Sequence, residues 1–137
     1  MAEMRKIEKF VVNSRIYNYL YCFFVLRKLK AQVGKYIING RTLELGCGPG
    51  YTSVFIKDNF PVSELLSIDY DADEITETRK RGRQDIIFQQ GDATNLKLKD
   101  NSFDNVIQLM AFHHISEWKK AIKEAYRVTK KGGCFVT

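Results

Sequence analysis

The sequence predicts an α/β protein built on a doubly wound, mostly parallel sheet of about five strands with helices on both faces, entered through an N-terminal helical segment. Three observations predict it. Short apolar runs of strand length alternate with segments of helical period from Arg41 onward. A glycine-rich turn follows the first of those runs directly. The chain has 137 residues, 45% of them hydrophobic, which is enough for one core. Strands separated by helices run parallel, and such a sheet binds ligands at the carboxyl ends of its strands, near the switch in strand order.

Residues 1–40 are read as an N-terminal helical segment. From 13 to 38, Ile16, Tyr19, Phe23, Leu26, Val33 and Ile37 recur at helical spacing, with Asn13 or Ser14 available as cap. Tyr17, Tyr21 and Phe24 make a second stripe, so the first half of this helix is apolar nearly all round. That face needs a cover, so the segment is either packed under a neighbouring helix or is a lid over an apolar substrate or partner. Strand 42–45 comes next, then a helix from about 51, strand 64–68, a helix over about 71–81 and strand 85–88. Strand 105–110, a helix over about 116–129 and a strand from 133 to 137 complete the pattern. The last helix presents Trp118, Ala121, Ile122, Ala125 and Val128 as its apolar face, with Gly132 and Gly133 placed to stop it. Asp71 and Asp73 open the helix over 71–81, where a cap and a dipole partner are expected.

Composition narrows the function classes. Lys and Arg number 22 against 16 Asp and Glu, for a net charge of +6. The basic residues fall in short clusters at 27–30, 79–83, 119–120 and 130–131, each near a predicted helix end, where cations suit the dipole or a solvated face. A nucleic-acid partner is therefore disfavoured. No run of about 18 uncharged apolar residues exists, so no integral membrane segment is expected. Residues 1–9 mix both charge signs and do not read as a secretory signal, which predicts a cytoplasmic protein. Cys22, Cys47 and Cys134 lie far apart with no C-x-x-C pair, so they read as reduced thiols and no metal site is expected.

The strongest local signal is Thr42-Leu43-Glu44-Leu45 running into Gly46-Cys47-Gly48-Pro49-Gly50 before the helix near Tyr51. Glycines at alternate positions let the backbone turn sharply and approach a ligand without obstruction from Cβ. A dinucleotide fingerprint would need glycine at 51, where Tyr51 stands, so NAD is disfavoured. No Gly-Lys-Ser/Thr follows, which excludes a P-loop. Asp69 ends the second strand about twenty positions after the loop, where a carboxylate accepts hydrogen bonds from ribose hydroxyls. Asp92 follows the third strand in Gly91-Asp92-Ala93, where an acid could accept from an adenine amino group or merely close a turn.

In this order the motifs resemble the class I S-adenosylmethionine-dependent methyltransferases, a Rossmann-like family: Glu-x-Gly-x-Gly-x-Gly, an acid ending the second strand, Gly-Asp-Ala, Asn101-Ser102-Phe103-Asp104 before a hydrophobic strand, Arg127-Val128, and Lys131-Gly132-Gly133. Ala111-Phe112-His113-His114-Ile115 is similar to the branch acting on small molecules and lipids. The resemblance covers roughly 41–137, which it implies is an S-adenosyl-L-methionine-binding Rossmann-like domain. It implies that Glu44, Gly46, Cys47, Gly48 and Gly50 hold the methionine end of the cofactor. Asp69 would bind the ribose with Tyr70 beside the adenine, Asp92 and Ala93 would meet the adenine, and Gln108 and Leu109 would line the methyl-transfer side. The family's sheet continues beyond the strand that begins at Gly133. The C-terminal strands are thus expected to be missing here, with a homo-oligomer that completes the sheet as a candidate assembly.

The activity implied is in-line attack of a small-molecule or lipid-like acceptor on an activated methyl group, for which no nucleophilic residue is required. Where the acceptor must lose a proton, His113 or His114 is the available base, since imidazole titrates near neutral pH; the alternative is that the pair only packs in the strand-to-helix turn. Base-methylating relatives carry Asn or Asp, Pro-Pro and an aromatic where this chain has Gln108-Leu109-Met110-Ala111, so a nucleobase acceptor is disfavoured. Two other readings compete: a noncatalytic S-adenosylmethionine-binding module or assembly partner, and, resting on the basic clusters alone, an RNA-binding protein.

Overall fold

The computed structural model describes residues 14, 20, 24, 27, 30, 31, 38–81, 83–109 and 114–137. Of the predicted N-terminal helix, residues 20, 24, 27, 30 and 31 are described and helical, and Phe24 is exposed. The rest of that helix, Tyr17 and Tyr21 included, lies outside the described residues. From residue 40 the elements follow as β1 (Gly40–Leu45), α1 (Tyr51–Asn59), β2 (Val62–Asp69), α2 (Ala72–Lys80), β3 (Ile87–Gln90), β4 (Phe103–Gln108), α3 (Trp118–Val128) and β5 (Thr129–Val136). No helix among the described residues is long and apolar enough to cross a membrane.

The strands form one sheet in the order β3-β2-β1-β4-β5, and each neighbouring pair is parallel. From β1 the chain steps outward through β2 to β3 and then crosses back, placing β4 on the other side of β1. The strand order therefore switches between β1 and β4, the place where loops diverge in doubly wound sheets and ligands bind. Register aligns the strand ends there: Leu45 sits opposite Ile68 and Gln108, and Asp69 opposite Gln90. The segments after β1, β2, β3 and β4 thus open along one edge.

Both faces of the sheet are covered, which is why its strands read as nearly continuous apolar runs. Leu43, Leu45, Leu66, Ile68 and Val106 turn to one face and pack with Phe103, Leu96, and Ala125 and Val128 of α3. Val62, Leu65 and Ile107 turn to the other and pack with Ile56 of α1, Ile75 of α2 and Phe88. A buried polar pair pins the register of β1 on β4: Asn105 Nδ2 donates to Thr42 Oγ1 at 3.2 Å and to the Asn39 carbonyl. Asp71 caps α2, accepting from the N–H groups of Asp73 at 2.9 Å and Glu74 at 3.4 Å, as the sequence predicts.

Several boundaries differ from the expected ones. β3 begins at Ile87 and not at 85, because Arg83 and Asp85 pair side chain to side chain in the preceding turn, where Arg83 also reaches Asp58. β4 begins at Phe103, whose fully buried ring fixes it in the sheet, and ends at Gln108; Met110 lies outside the described residues. Trp118 is not on the buried face of α3. Ala121, Ala125 and Val128 are buried and Ile122 is half-buried, whereas Trp118, in the first turn, is 47% exposed beneath the Lys119 ammonium.

Gly132 and Gly133 do not stop α3. The helix gives way at Thr129, whose backbone is extended and whose hydroxyl donates to Ala125 O at 2.6 Å. The glycines lie inside β5, where the register against β4 shifts between Phe103 and Asn105. A Cβ on Gly133 would come 2.7 Å from the Asp104 carbonyl oxygen, so the close approach of two backbones selects glycine there.

Candidate functional site

The loop after β1 turns by placing Gly46, Gly48 and Gly50 at φ of 77°, 47° and 78°, a region that side chains with a Cβ rarely adopt. It is zipped onto the end of β2, since the N–H groups of Gly46 and Cys47 both donate to Ile68 O, at 2.8 and 3.0 Å. Cys47 fills the core beneath, and burial, with the negative charges of Glu44 and Asp69 nearby, pushes its thiol well above the usual range. A Cβ at Gly50 would lie 2.5 Å from Thr78 Cγ2, whereas one at Gly48 would meet nothing within 4 Å. One side of the loop is thus packed against α2, and at Gly48 bare backbone faces open space. α1 starts immediately after it, with Gly50 as N-cap and no side-chain cap bond, so the positive end of that helix dipole is directed at the same opening.

Glu44 lies under the loop, 1% exposed. Its carboxylate accepts three hydroxyls, from Thr52, from Ser53 at 2.5 Å and from Ser67 at 2.7 Å, and so joins β1, the first turn of α1 and β2. Desolvation raises its pKa, against the pull of those hydroxyls and with a further push from the Asp69 charge. A carboxylate enclosed in this way shapes the loop from below. Its hydroxyl partners carry no sequence signal of their own, because only the fold brings residues 52, 53 and 67 to residue 44.

Asp69 ends β2 half-buried at the rim of the opening. Gly48 N–H donates to its Oδ2 at 2.8 Å and Asp71 N–H to its Oδ1 at 2.9 Å, which fixes the carboxylate plane. A carboxylate accepts about four hydrogen bonds, so both oxygens retain capacity for a vicinal diol. Tyr70 follows, 54% exposed, with its carbonyl accepting from Gln90 Nε2 at 3.2 Å. On the next strand end, Gly91 N–H donates to Asp69 O at 2.8 Å. The Asp92 Oδ1 accepts from the N–H and hydroxyl of Thr94, at 2.8 and 2.7 Å, closing the turn. Ala93 packs partly buried on the core.

Across the switch point, Gln108 is buried and its Oε1 accepts from the Thr137 hydroxyl at 2.8 Å, while Leu109 packs half-buried on the core below the loop. His114 is half-buried between β4 and α3; His113 lies outside the described residues. The strand ends therefore bring the glycine loop, Asp69, Tyr70, Asp92, Ala93, Gln108 and Leu109 to one edge of the sheet. Spacing in the sequence missed Thr78 and Arg81 of the α2 end, which contact the loop carbonyls of Gly48 and Pro49.

The set fits S-adenosyl-L-methionine on its own chemistry: a diol-accepting acid, an exposed aromatic, bare backbone with room at Gly48, and a helix N-terminus suited to a carboxylate. Residues 43–137 match the family model of the methyltransferase domain. The chain is 32% identical over 100 residues to the uncharacterized methyltransferase YcgJ of Bacillus subtilis, covering 70% of this chain and 39% of that protein. The crystal structure of YcgJ matches with a TM-score of 0.70 at 29% identity, over 80% of this chain and 48% of that one. A demethylmenaquinone methyltransferase of Renibacterium salmoninarum is 38% identical over 96 residues, covering 70% of this chain and 39% of the relative. A fatty-acid O-methyltransferase of Mycolicibacterium smegmatis is 31% identical over 97 residues, covering 70% and 35%. The chain spans about two fifths of the length of these curated relatives.

Proposed function

The chain belongs to the methyltransferase-domain family, and on that premise we propose that its site binds S-adenosyl-L-methionine for methyl transfer to a small-molecule or lipid-like acceptor. The observation that carries this reading is the open glycine loop tied through Gly48 N–H to Asp69 at the β1/β4 switch point. When bound, the cofactor supplies an electrophilic methyl group on a sulfonium.

The residues of the chain then hold and orient. Asp69 accepts from the ribose hydroxyls, and Tyr70 packs beside the adenine. The Oδ2 of Asp92, the oxygen that does not serve the Thr94 turn, accepts from the adenine amino group over Ala93. Gly46, Cys47, Gly48 and Gly50 present backbone to the methionine end, whose carboxylate the N-terminus of α1 favours. Glu44 sets the shape of that loop from beneath. Gln108 and Leu109 border the methyl-transfer side, and His113 or His114 takes the proton from an acceptor that must lose one. The segment 1–40 serves as lid or packing helix over the domain 41–137.

An apolar acceptor of the quinone or fatty-acid kind is the reading the relatives favour, since two of them are named for such substrates. The test is transfer of labelled methyl from S-adenosylmethionine to a panel of demethylated quinones and fatty acids, with Asp69→Ala beside the wild type. Label in an apolar product, lost in the variant, is the result expected. Cofactor binding without transfer to any acceptor would instead assign the chain as a cofactor-binding module.

A further inference from the structure

Gly46, Gly48 and Gly50 all sit at positive φ, and glycine forfeits more backbone entropy on ordering than any other residue. A loop so composed must be held by groups outside it. The C-terminal end of α2 supplies them. Thr78 Oγ1 donates to Gly48 O at 3.2 Å, and Arg81 Nη1, from the residue that caps α2, donates to Pro49 O. The Arg81 guanidinium also lies 4.7 Å over the ring of Tyr51, the first residue of α1.

Asp69 holds the same loop from the other side through Gly48 N–H. The Gly48 residue is thereby gripped by its N–H from β2 and by its carbonyl from α2. Thr78 is 2% exposed, so water does not compete with its hydroxyl for that carbonyl. Its methyl group is in close packing with Gly50, where a Cβ would collide with it. A Cβ at Gly48 would meet nothing within 4 Å, so the two contacts leave that side of the loop clear.

We infer that Thr78 and Arg81 are positioning residues for the cofactor loop, setting ligand affinity by keeping the backbone from Gly48 to Gly50 in its ligand-ready arrangement. The inference rests on the reading that this loop and Asp69 hold S-adenosylmethionine. Apparent affinity falls in proportion to the fraction of molecules in the competent arrangement, so loosening the grip weakens binding without touching a ligand contact. Thr78→Val keeps the volume and removes the hydroxyl; Thr78→Ser keeps the hydroxyl. Arg81→Gln removes the fork that reaches Pro49 and stacks on Tyr51.

The experiment is calorimetric titration of the purified chain with S-adenosylhomocysteine, for wild type, Thr78→Val, Thr78→Ser, Arg81→Gln and Asp69→Ala. Hydrogen exchange at the Gly48 and Gly50 amides is followed in each. Thr78→Val is expected to raise Kd about fivefold and Arg81→Gln about threefold. Gly50 exchanges faster in both, core amides of β1 and β4 stay protected, and Thr78→Ser binds like the wild type. Wild-type Kd and exchange in Thr78→Val and Arg81→Gln, with binding weakened in Asp69→Ala, would overturn the positioning role and leave the site standing. Absence of binding by the folded wild type would overturn the site itself, and the positioning role with it.

Discussion

Glu44 carries a carboxylate into the interior at the end of β1, where three hydroxyls from two other elements converge on it. Truncation to alanine would leave a void and strand those hydroxyls, at a cost of about 2–4 kcal/mol. Glu44→Gln keeps the volume and costs less. Because burial raises the pKa of Glu44 in the folded chain, the stability it contributes is present in full below its unfolded pKa and is lost as pH rises through the raised one. The stability advantage of wild type over Glu44→Gln, read from denaturant unfolding at stepped pH, should therefore shrink from acid toward alkaline pH. An advantage that grows with pH would mean that the hydroxyls, and not burial, dominate at this site.

Among the elements, α3 fastens the connection between β3 and β4 through one side chain. Arg127 donates to the carbonyls of Leu98 at 2.8 Å and Leu96 at 3.0 Å, and pairs with Glu124 and Asp100. Glu124 in turn accepts from Leu96 N–H at 2.8 Å. A planar fork is needed to reach four partners, so Arg127→Lys should cost about 2 kcal/mol, seen as a lower midpoint in urea, despite the conserved charge. A midpoint unchanged by that substitution would show the network to be surface decoration.

This is also where the sequence was least legible. The glycine loop and Asp69 can be located because left-handed backbone selects glycine and an acid closing an apolar strand stands out, both local features. The contacts of Arg127, Thr78 and Arg81 join residues some thirty positions apart and leave no spacing to read. Period alone places Trp118 on the apolar face of α3, whereas the residue is 47% exposed. Gly132 and Gly133 suggest a helix stop because nothing local distinguishes that from a strand pressed, at Gly133, against the Asp104 backbone.

For the molecule as a whole, parallel pairing and a single reversal of strand order place the ends of β1, β2, β3 and β4 along one edge, so residues far apart in sequence form one rim. Ion pairs brace the opposite behaviour in acid. Asp104 is held below the usual carboxylate range chiefly by Lys130, and Glu124 chiefly by Arg127. A depressed carboxyl contributes stability above its unfolded pKa that is lost as pH falls through the folded one. Combined with Glu44, this gives a stability maximum between the acid titration of Asp104 and Glu124 and the higher titration of Glu44. The thermal midpoint should therefore rise to a maximum near the ordinary carboxyl range and decline above it as Glu44 titrates. A melting temperature that climbs steadily from pH 4 to pH 9 would contradict the account of Glu44.

The rim is tested most directly by calorimetric titration of the purified chain with S-adenosylmethionine beside Asp69→Ala. One site with Kd of about micromolar order is expected, weakened about tenfold or more in the variant, where hydrogen bonds to the ribose and the tether to Gly48 would be lost. Equal binding by both proteins, or no heat from a folded wild type, would contradict it.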